Sequence, residues 1–460
     1  MTRSFIASKV WLNHSWTSDV LLTVGPDGHW LSINQHPDAN QKRQALAING
    51  YVLPGISNTH SHAFQRAIVG MTEQMSPDAP TDNFWTWRAQ MYRMAQRLSP
   101  DAIERIATQL YGELIRCGYT HVCEFNYLHH DCDGGAYDDP LTLSMAHVRA
   151  AKSAGIGLTL LPTLYMRSGF DASGLRDDQR RFASTPQSVL KIANAINAMQ
   201  LPLVNAGVAI HSLRAVDMRS LNELAVQATR RGLPIHIHIA EQMQEVNDCI
   251  LHHGCRPIDY LMDHCDVNAN WNLVHATHAS LAEIARIKAA GASIVICPST
   301  EANLGDGIVD LPAIMQAQIN WSIGSDSHVS RSWVDELRLL EYSQRLQLRE
   351  RNIAARYTEK IAQDHASSGA ALLVGAASGA SSATGRAVNA IALGQRADFS
   401  VWGEQRSFDV SGMTAPTADD YYIDQLIFTS PSPQAIRVYV AGNLIHPDSE
   451  APDLILAATR

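Results

Sequence analysis

The sequence predicts an α/β protein: a (β/α)8 TIM-like barrel, with a small β-sandwich module built from both chain ends. Eight short β-prone runs recur between residues 53 and 326, and stretches long enough for helices separate them. The residues able to bind a metal or transfer protons stand at the ends of these runs. In barrel proteins the carboxyl ends of the strands carry the chemistry, so this placement supports the same fold.

The eight runs are nearly continuous apolar stretches rather than strict polar and apolar alternations. Parallel strands that are covered on both faces have this composition. The sequence therefore predicts barrel strands at residues 52–60, 119–125, 156–164, 203–211, 234–241, 271–277, 293–299 and 319–326.

The clearest helix between these strands has recognisable start and stop signals. Ser99 is suited to the N-cap and Pro100 to the first helical position, and apolar residues follow at helical spacing until Gly118. This pattern predicts an amphipathic helix that packs on the barrel between its first two strands.

The two ends of the chain have a different character from the barrel region. Short β-prone pieces lie before residue 50, around a turn at residues 25–28, and similar pieces return at residues 390–402 and 435–445. The segment 366–383, rich in Ala, Gly and Ser, predicts helical packing followed by a connector. We therefore expect three parts: residues 1–52 and 384–460 form the β-sandwich, and residues 53–383 form the barrel.

Composition excludes several classes of function. The chain has 36 Lys and Arg against 45 Asp and Glu, a net charge of −9, and no dense basic run, which argues against nucleic-acid and membrane partners. Seven cysteines without a Cys-x-x-Cys pair suit reduced thiols. The amino terminus lacks a secretory signal pattern, and no apolar run is long enough to span a membrane. These features predict a cytoplasmic protein.

A metal site is predicted from four strand-end residues. His60 and His62 are two residues apart, which directs both side chains to the same side of a strand, and His238 and Asp326 end the fifth and eighth runs. Three imidazoles and one carboxylate suit Zn²⁺ and leave room for a water whose pKa the ion lowers. His236 has the same parity as His238, but His238 is closer to the rim; we expect His236 to be a hydrogen-bonded core residue.

Two further residues are candidates for acid–base chemistry, together with Asp326. Glu241 lies three residues beyond His238 and can protonate a reacting nitrogen, although a solvated loop carboxylate would have the same position. His275 lies near the end of the sixth run and can orient the nucleophile, although strand-end histidines also serve structural roles.

Six motifs resemble the amidohydrolase superfamily and, within it, the deiminases that act on N-formimidoyl-L-glutamate. They are His60-Ser-His-Ala-Phe-Gln-Arg66, Glu124-Phe-Asn-Tyr-Leu-His-His130, His211-Ser-Leu-Arg214, His236-Ile-His-Ile-Ala-Glu-Gln242, Cys297-Pro-Ser-Thr-Glu-Ala-Asn-Leu-Gly-Asp-Gly307 and Gly324-Ser-Asp-Ser-His328.

This resemblance spans nearly the whole chain and implies hydrolysis of N-formimidoyl-L-glutamate to N-formyl-L-glutamate and ammonia in histidine degradation. It implies one Zn²⁺ per subunit and a homodimer. It also implies a set of substrate-binding residues: Gln65, Arg88, Tyr127, His211 and Arg214. Two arginines suit a substrate with two carboxylates, because a guanidinium pairs with a carboxylate through two parallel hydrogen bonds.

Three alternatives remain open at this point. A mononuclear zinc aminohydrolase could act on a purine, pyrimidine or triazine ring, with Trp85 and Trp87 as stacking surfaces, but Arg214 argues against such a pocket. A formimidoyl-aspartate-type substrate differs by one methylene, which leaves little trace in a sequence. A non-catalytic barrel would not need the complete set of metal and acid–base residues.

Overall fold

The computed structural model of the chain describes residues 2–75, 81–357, 366–403, 421–431 and 433–445. Its strands, in chain order, are β1 (Arg3–Leu12), β2 (Ser15–Val24), β3 (Trp30–Asn34), β4 (Leu46–Pro54), β5 (Ile56–Ser61), β6 (Tyr119–Asn126), β7 (Gly157–Leu164), β8 (Val204–Ala206), β9 (Val208–Ile210), β10 (Ile235–Ile239), β11 (Trp271–His275), β12 (Ser293–Ile296), β13 (Trp321–Ile323), β14 (Phe399–Trp402), β15 (Arg437–Val440) and β16 (Asn443–Ile445).

The described helices include a crossover after every barrel strand. They are α1 (Ala39–Gln44), α2 (Phe84–Ala95), α3 (Pro100–Arg116), α4 (Thr142–Ala154), α5 (Pro186–Ala198), α6 (Met218–Thr229), α7 (Met243–His253), α8 (Pro257–His264), α9 (Leu281–Ala290), α10 (Pro298–Leu304), α11 (Leu311–Gln316), α12 (Trp333–Leu348), α13 (Ser368–Ser378), α14 (Ala380–Thr384) and α15 (Tyr422–Phe428). Within the described ranges, none is long and apolar enough to cross a membrane.

The predicted barrel is confirmed. Strands β5 to β13 form a parallel sheet in which neighbours in the chain are neighbours in space, and β8 and β9 together occupy the fourth position. The predicted helix is also confirmed as α3: the Ser99 hydroxyl accepts a hydrogen bond from the amide of Ala102, and Pro100 is its first residue. The barrel core is a continuous set of buried aliphatic and aromatic side chains from strands and helices.

Two strands lie at the start of the barrel where the sequence predicts one. Residues 52–60 were expected to form one strand, but β4 ends at Pro54 and pairs with β1 and β14 in the other sheet, whereas β5 begins the barrel at Ile56. Gly55 lies between them; a Cβ there would be 2.3 Å from the Thr120 hydroxyl oxygen. A glycine therefore allows the chain to pass from one sheet to the other. Because β4 and β5 are both apolar, the sequence shows no boundary between them.

The barrel closes between β13 and β5 at a short seam. Asp326 donates its amide hydrogen to His60 O over 3.0 Å, and His62 donates its amide hydrogen to Asp326 O over 3.1 Å. A Cβ on Gly324 would lie 2.5 Å from His60 Cβ and 2.9 Å from His60 O. The absence of a side chain at Gly324 therefore permits the approach that joins the first and eighth strands.

Helix α14 closes the opposite end of the barrel. The last carbonyl oxygens of a helix lack partners within the helix and need donors from elsewhere. Side chains that point down from the barrel interior supply them: His236 Nε2 donates to Ala383 O at 2.9 Å, and Asn205 Nδ2 and Thr159 Oγ1 donate to Thr384 O at 2.8 and 2.9 Å. His236 is thus a hydrogen-bonded core residue, as expected, and the segment predicted as a connector ends in a helical plug.

The described strands from both chain ends form one seven-stranded sheet in the order β16-β15-β14-β4-β1-β2-β3. One face has its own core around Phe5, Trp30, Phe399 and Tyr439. Side chains of the other face belong to the barrel core. Among them, Trp402 packs edge-to-face on Trp333 of helix α12, with 5.6 Å between the ring centroids. This confirms the predicted second module and shows that it lies against the barrel helices.

The variant Gly324→Ala tests the seam. An added methyl group must displace the His60 backbone, so we expect a loss of about 1–3 kcal/mol in the free energy of unfolding, measured by urea titration. The control is Gly174→Ala, where a Cβ meets no atom within 4 Å, and a change of at most about 0.5 kcal/mol is expected. Equal stabilities for the two variants would contradict the role assigned to Gly324.

Candidate metal centre and catalytic site

Four predicted ligand atoms converge on one point at the carboxyl ends of the strands. The Nε2 atom of His238 lies 3.0 Å from that of His60 and 3.3 Å from that of His62. Asp326 Oδ1 lies 3.6 Å from the His60 nitrogen and 3.5 Å from the His62 nitrogen. Residues from β5, the β10 strand and the turn after β13 therefore meet at the seam where the barrel closes.

The hydrogen bonds of two imidazoles direct their lone pairs to this point. His62 Nδ1 donates to Phe125 O at 3.0 Å, and His238 Nδ1 donates to His211 O at 2.8 Å. A neutral ring that donates through Nδ1 keeps a lone pair on Nε2. Burial lowers the pKa of all three rings well below the ordinary value, that of His62 to about 3, so each is neutral.

This donor set fits zinc. A tetrahedral zinc site with bonds of about 2.0–2.2 Å places its ligand atoms about 3.3–3.6 Å apart, close to the separations seen here. Three neutral imidazole lone pairs and a carboxylate oxygen that face one another repel unless a cation lies between them. Imidazole and carboxylate together are ligands that zinc prefers.

The backbone is strained at the same rim. His275 and Asp326 have φ values of +71° and +48°, and Ala240, which precedes Glu241, has +51°. Residues with a Cβ seldom adopt this left-handed conformation, and such residues cluster where a site fixes the direction of a side chain. The strain turns the chain sharply at the ends of β10, β11 and β13, so that their side chains point into the barrel mouth.

His275 stands among three carboxylates. Its Nε2 lies 3.6 Å from Glu241 Oε1 and 3.7 Å from Asp326 Oδ2, and its Nδ1 lies 3.2 Å from Glu301 Oε1. Burial alone would lower the pKa of His275, but these carboxylates, Glu241 foremost, raise it to about 10. Burial raises the pKa of Asp326 to about 7, although His275 acts in the opposite direction. A connected set of proton carriers thus adjoins the ligand atoms.

One cavity unites the predicted residues. His60 lies beneath the cavity and does not line it; the other predicted site residues are part of its wall. Gln65 Nε2 donates to Tyr127 OH at 3.0 Å, while Gln65 Oε1 and Arg214 Nη1 are buried and have no hydrogen-bond partner among the residues that the structure describes. A buried polar atom without a partner is costly and is often satisfied by a ligand. The lining residues are His62, Gln65, Phe84, Trp87, Arg88, Met91, Tyr92, Tyr127, His211, Arg214, His238, Glu241, His275, Leu304 and Asp326.

Two arginines face the cavity, and no described carboxylate lies within ion-pair distance of either. Within the described residues, neither Arg88 nor Arg214 forms an ion pair with a carboxylate; Arg214 Nε donates only to Ser212 Oγ, at 3.3 Å. Burial lowers the pKa of Arg88, and the charge of Arg214 adds to this effect. Two largely buried cations that lack carboxylate partners form a site for an anion.

The sequence did not reveal the role of Glu301. Its carboxylate accepts hydrogen bonds from the amide of Cys297, at 2.9 Å, as well as contacting His275. Its signal was its place at the end of the seventh run, within the Cys297-Pro-Ser-Thr-Glu301 motif. Glu124 was likewise missed: it accepts from the Ser61 hydroxyl and the Ala63 amide and so holds the turn after the His60 and His62 pair.

Comparison with known proteins gives concordant matches. A model of the amidohydrolase family matches residues 51–445. A formimidoylglutamate deiminase from Pseudomonas aeruginosa is 42% identical over 443 residues, which cover 96% of this chain and 94% of that protein. The crystal structure of an amidohydrolase from Brucella melitensis has a TM-score of 0.88 and 36% identity, and covers 99% of this chain and 98% of that one.

A more distant structure shares the fold. An atrazine chlorohydrolase from Arthrobacter aurescens TC1, crystallised in complex with zinc, has a TM-score of 0.78 at 19% identity, with 99% of each chain covered. At this identity the likeness concerns the arrangement of strands and helices.

The choice between the two histidines of β10 can be tested by metal analysis. We expect His238→Asn to lower the zinc affinity at least tenfold, because one of four converging ligand atoms is displaced. The matched control is His236→Gln, which retains a donor for Ala383 O and should keep the zinc of the unaltered protein. Zinc loss in the His236 variant alone, measured by plasma mass spectrometry after dialysis, would reverse the assignment.

Proposed function

Because the chain belongs to the amidohydrolase family, we propose that it hydrolyses N-formimidoyl-L-glutamate to N-formyl-L-glutamate and ammonia, a deimination of histidine degradation. The observation that carries the proposal is a pair of arginines, Arg214 buried and Arg88 half-buried, that have no ion pair with any described carboxylate and line the same cavity as three of the four candidate ligand residues. A substrate with a carboxylate at each end and a polar C–N group matches both features. The 42% identity to a formimidoylglutamate deiminase supports the same reaction.

We propose that His60, His62, His238 and Asp326 hold one Zn²⁺ per subunit. A zinc ion in that position lowers the pKa of water and so supplies a hydroxide nucleophile near neutral pH. Residues 203–212 on the fourth strand position contain no lysine, the residue that commonly bridges two metals in related hydrolases, which favours a single ion. All seven cysteines are unpaired, in keeping with a cytoplasmic enzyme; a homodimer follows from the family resemblance alone.

Substrate binding is assigned to five cavity residues. Arg88 and Arg214 would each pair with one carboxylate of the glutamate part, the geometry in which a guanidinium binds most strongly. The unpaired Gln65 Oε1 is placed to accept a hydrogen bond from a substrate N–H group. Tyr127, to which Gln65 donates, and His211, whose ring is 5.7 Å from that of Tyr127, complete the wall between the arginines and the ligand atoms.

The acid–base residues would move protons in the following order. Water adds to the formimidoyl carbon while a proton passes from it to Asp326. His275, which its raised pKa keeps protonated, lies 3.7 Å from Asp326 Oδ2 and would orient the nucleophile and stabilise the developing negative charge. Glu241 then donates a proton to the terminal nitrogen. The bond between that nitrogen and the carbon breaks and ammonia leaves. The hydroxyl proton of the intermediate returns to Glu241, and the carbon keeps its oxygen as the formyl group. Glu301 fixes the His275 ring through Nδ1, so that Nε2 faces the other two carboxylates.

The reaction itself can be tested with zinc-loaded protein. We expect ammonia and N-formyl-L-glutamate from N-formimidoyl-L-glutamate, identified by an ammonia assay and mass spectrometry, and no ammonia from guanine. Formamide and glutamate as products would show that the other C–N bond is broken. Ammonia from guanine alone would favour a ring aminohydrolase and contradict the proposed substrate.

The variant Glu241→Gln tests proton donation. Its side chain keeps the shape but cannot deliver a proton, so kcat should fall by about 100-fold or more, with the zinc content unchanged because Glu241 is not a ligand. Glu73→Gln is the control: this exposed side chain contacts Asn303 outside the cavity, and its kcat should be unaltered. A kcat for the Glu241 variant within threefold of the unaltered enzyme would assign the proton to another group.

A further inference from the structure

The Trp85 ring contacts the guanidinium groups of both cavity arginines. The centre of the Arg88 guanidinium is 4.2 Å from the Trp85 ring centroid, and that of Arg214 is 5.1 Å from the same centroid. Trp85 itself is not part of the cavity wall, to which both arginines belong. The indole therefore joins the two guanidiniums without occupying the space between them and a ligand.

The two arginines come from separate parts of the chain. Arg88 lies three residues after Trp85 in α2, so both side chains are on one face of that helix. Arg214 lies in the 3-10 turn Leu213–Ala215 that follows β9. Helix α2 starts at a fixed point because the Asn83 side chain accepts the Trp85 and Thr86 amides as an N-cap. Trp85 thus joins this helix to the turn that follows the fourth strand of the barrel.

An aromatic ring suits this place better than a carboxylate would. Two guanidiniums repel one another, and the negative face of an indole attracts both. A carboxylate would also bring them together, but it would neutralise the charges that an anionic ligand needs. The indole stabilises the pair while leaving its N–H groups and its net charge available to a substrate.

Neighbouring rings do not have the same position. Phe84 lies 5.7 Å from the Arg214 guanidinium, and Tyr92 lies 5.5 Å from that of Arg88. Of the aromatic residues in the described part of the chain, Trp85 is the one in contact with both arginines. The distance between the two cations therefore depends on Trp85 more than on either neighbour.

We propose that Trp85 is a positioning residue for substrate specificity: it holds Arg88 and Arg214 at a separation that matches the two carboxylates of a five-carbon dicarboxylate. It thereby selects the glutamate over the aspartate derivative. This inference rests on the proposed function for the identity of the substrate, but the preference for one dicarboxylate length over another can be measured by binding, without turnover. Substrates that differ by one methylene are usually discriminated about 10–200-fold, a range that a rigid pair of arginines can supply.

The experiment uses the zinc-loaded full chain and the variants Trp85→Leu and Trp85→Phe. Trp85→Leu removes the aromatic face, and Trp85→Phe retains one. Trp16→Leu, in the sheet of the chain ends, controls for the loss of a tryptophan elsewhere. Steady-state kinetics compare the N-formimidoyl derivatives of glutamate and aspartate, calorimetry compares glutarate and succinate, and thermal melting verifies that each variant is folded.

We expect Trp85→Leu to raise KM for the glutamate derivative about tenfold, with kcat within about twofold, because Trp85 acts on carboxylate binding. Its preference for glutamate over aspartate should shrink at least fivefold, and so should its preference for glutarate over succinate. Trp85→Phe should restore most of both preferences, and Trp16→Leu should preserve them. A purely structural role would lower the melting temperature without a change in chain-length preference.

Two results separate the possible failures. If the unaltered enzyme does not turn over N-formimidoyl-L-glutamate but Trp85→Leu still weakens glutarate binding selectively, the proposed function is wrong and the role of Trp85 stands. If the unaltered enzyme deiminates the substrate but Trp85→Leu retains its chain-length preference, or loses kcat rather than KM, the role assigned to Trp85 is overturned. Absence of glutarate binding by the unaltered protein would overturn it as well.

Discussion

The repulsion among four electron-rich atoms at the barrel seam is the constraint on which the site depends. Three neutral imidazole nitrogens and one carboxylate oxygen lie 3.0–3.6 Å from a neighbour in the set. Backbone carbonyls of Phe125 and His211 hold two of the rings in the tautomer that aims a lone pair inward. A cation among these atoms would remove the repulsion, and this is the physical reason for proposing a metal at the seam.

The proposed selectivity for the substrate depends on cation–π contacts at the same rim rather than on the repulsion among the ligand atoms. The four candidate metal ligands belong to the seam and the fifth strand, whereas the two cavity arginines belong to helix α2 and to the turn after the fourth strand. Aromatic faces rather than acidic side chains support these arginines. In the proposed reaction, the groups that hold the metal and the groups that bind the carboxylates therefore come from different elements at the same end of the barrel.

The sequence allowed prediction of the barrel, of the second module and of the convergence of His60, His62, His238 and Asp326, because these follow from local patterns. Because side chains alternate along a strand, His60 and His62 are predicted to lie on the same side. Because catalytic residues of a barrel lie at the carboxyl ends of its strands, His238 and Asp326 are predicted to lie beside them. The contact of Glu301 with His275, the left-handed backbone at Asp326 and the plug formed by α14 were not predictable, since each depends on distances between remote segments. The boundary at Gly55 was missed because both neighbouring strands are apolar.

The use of both chain ends for one sheet has a consequence for synthesis. Strand β4 pairs on one side with β1 and on the other with β14, and the metal site gathers residues from position 60 to position 326. An emerging chain can therefore finish neither module until the ribosome has translated nearly all of it, and the order of folding cannot follow the order of translation domain by domain. Phe5 on the first strand packs on Phe399 and Tyr439, so this apolar face of the amino-terminal strands stays uncovered through that interval.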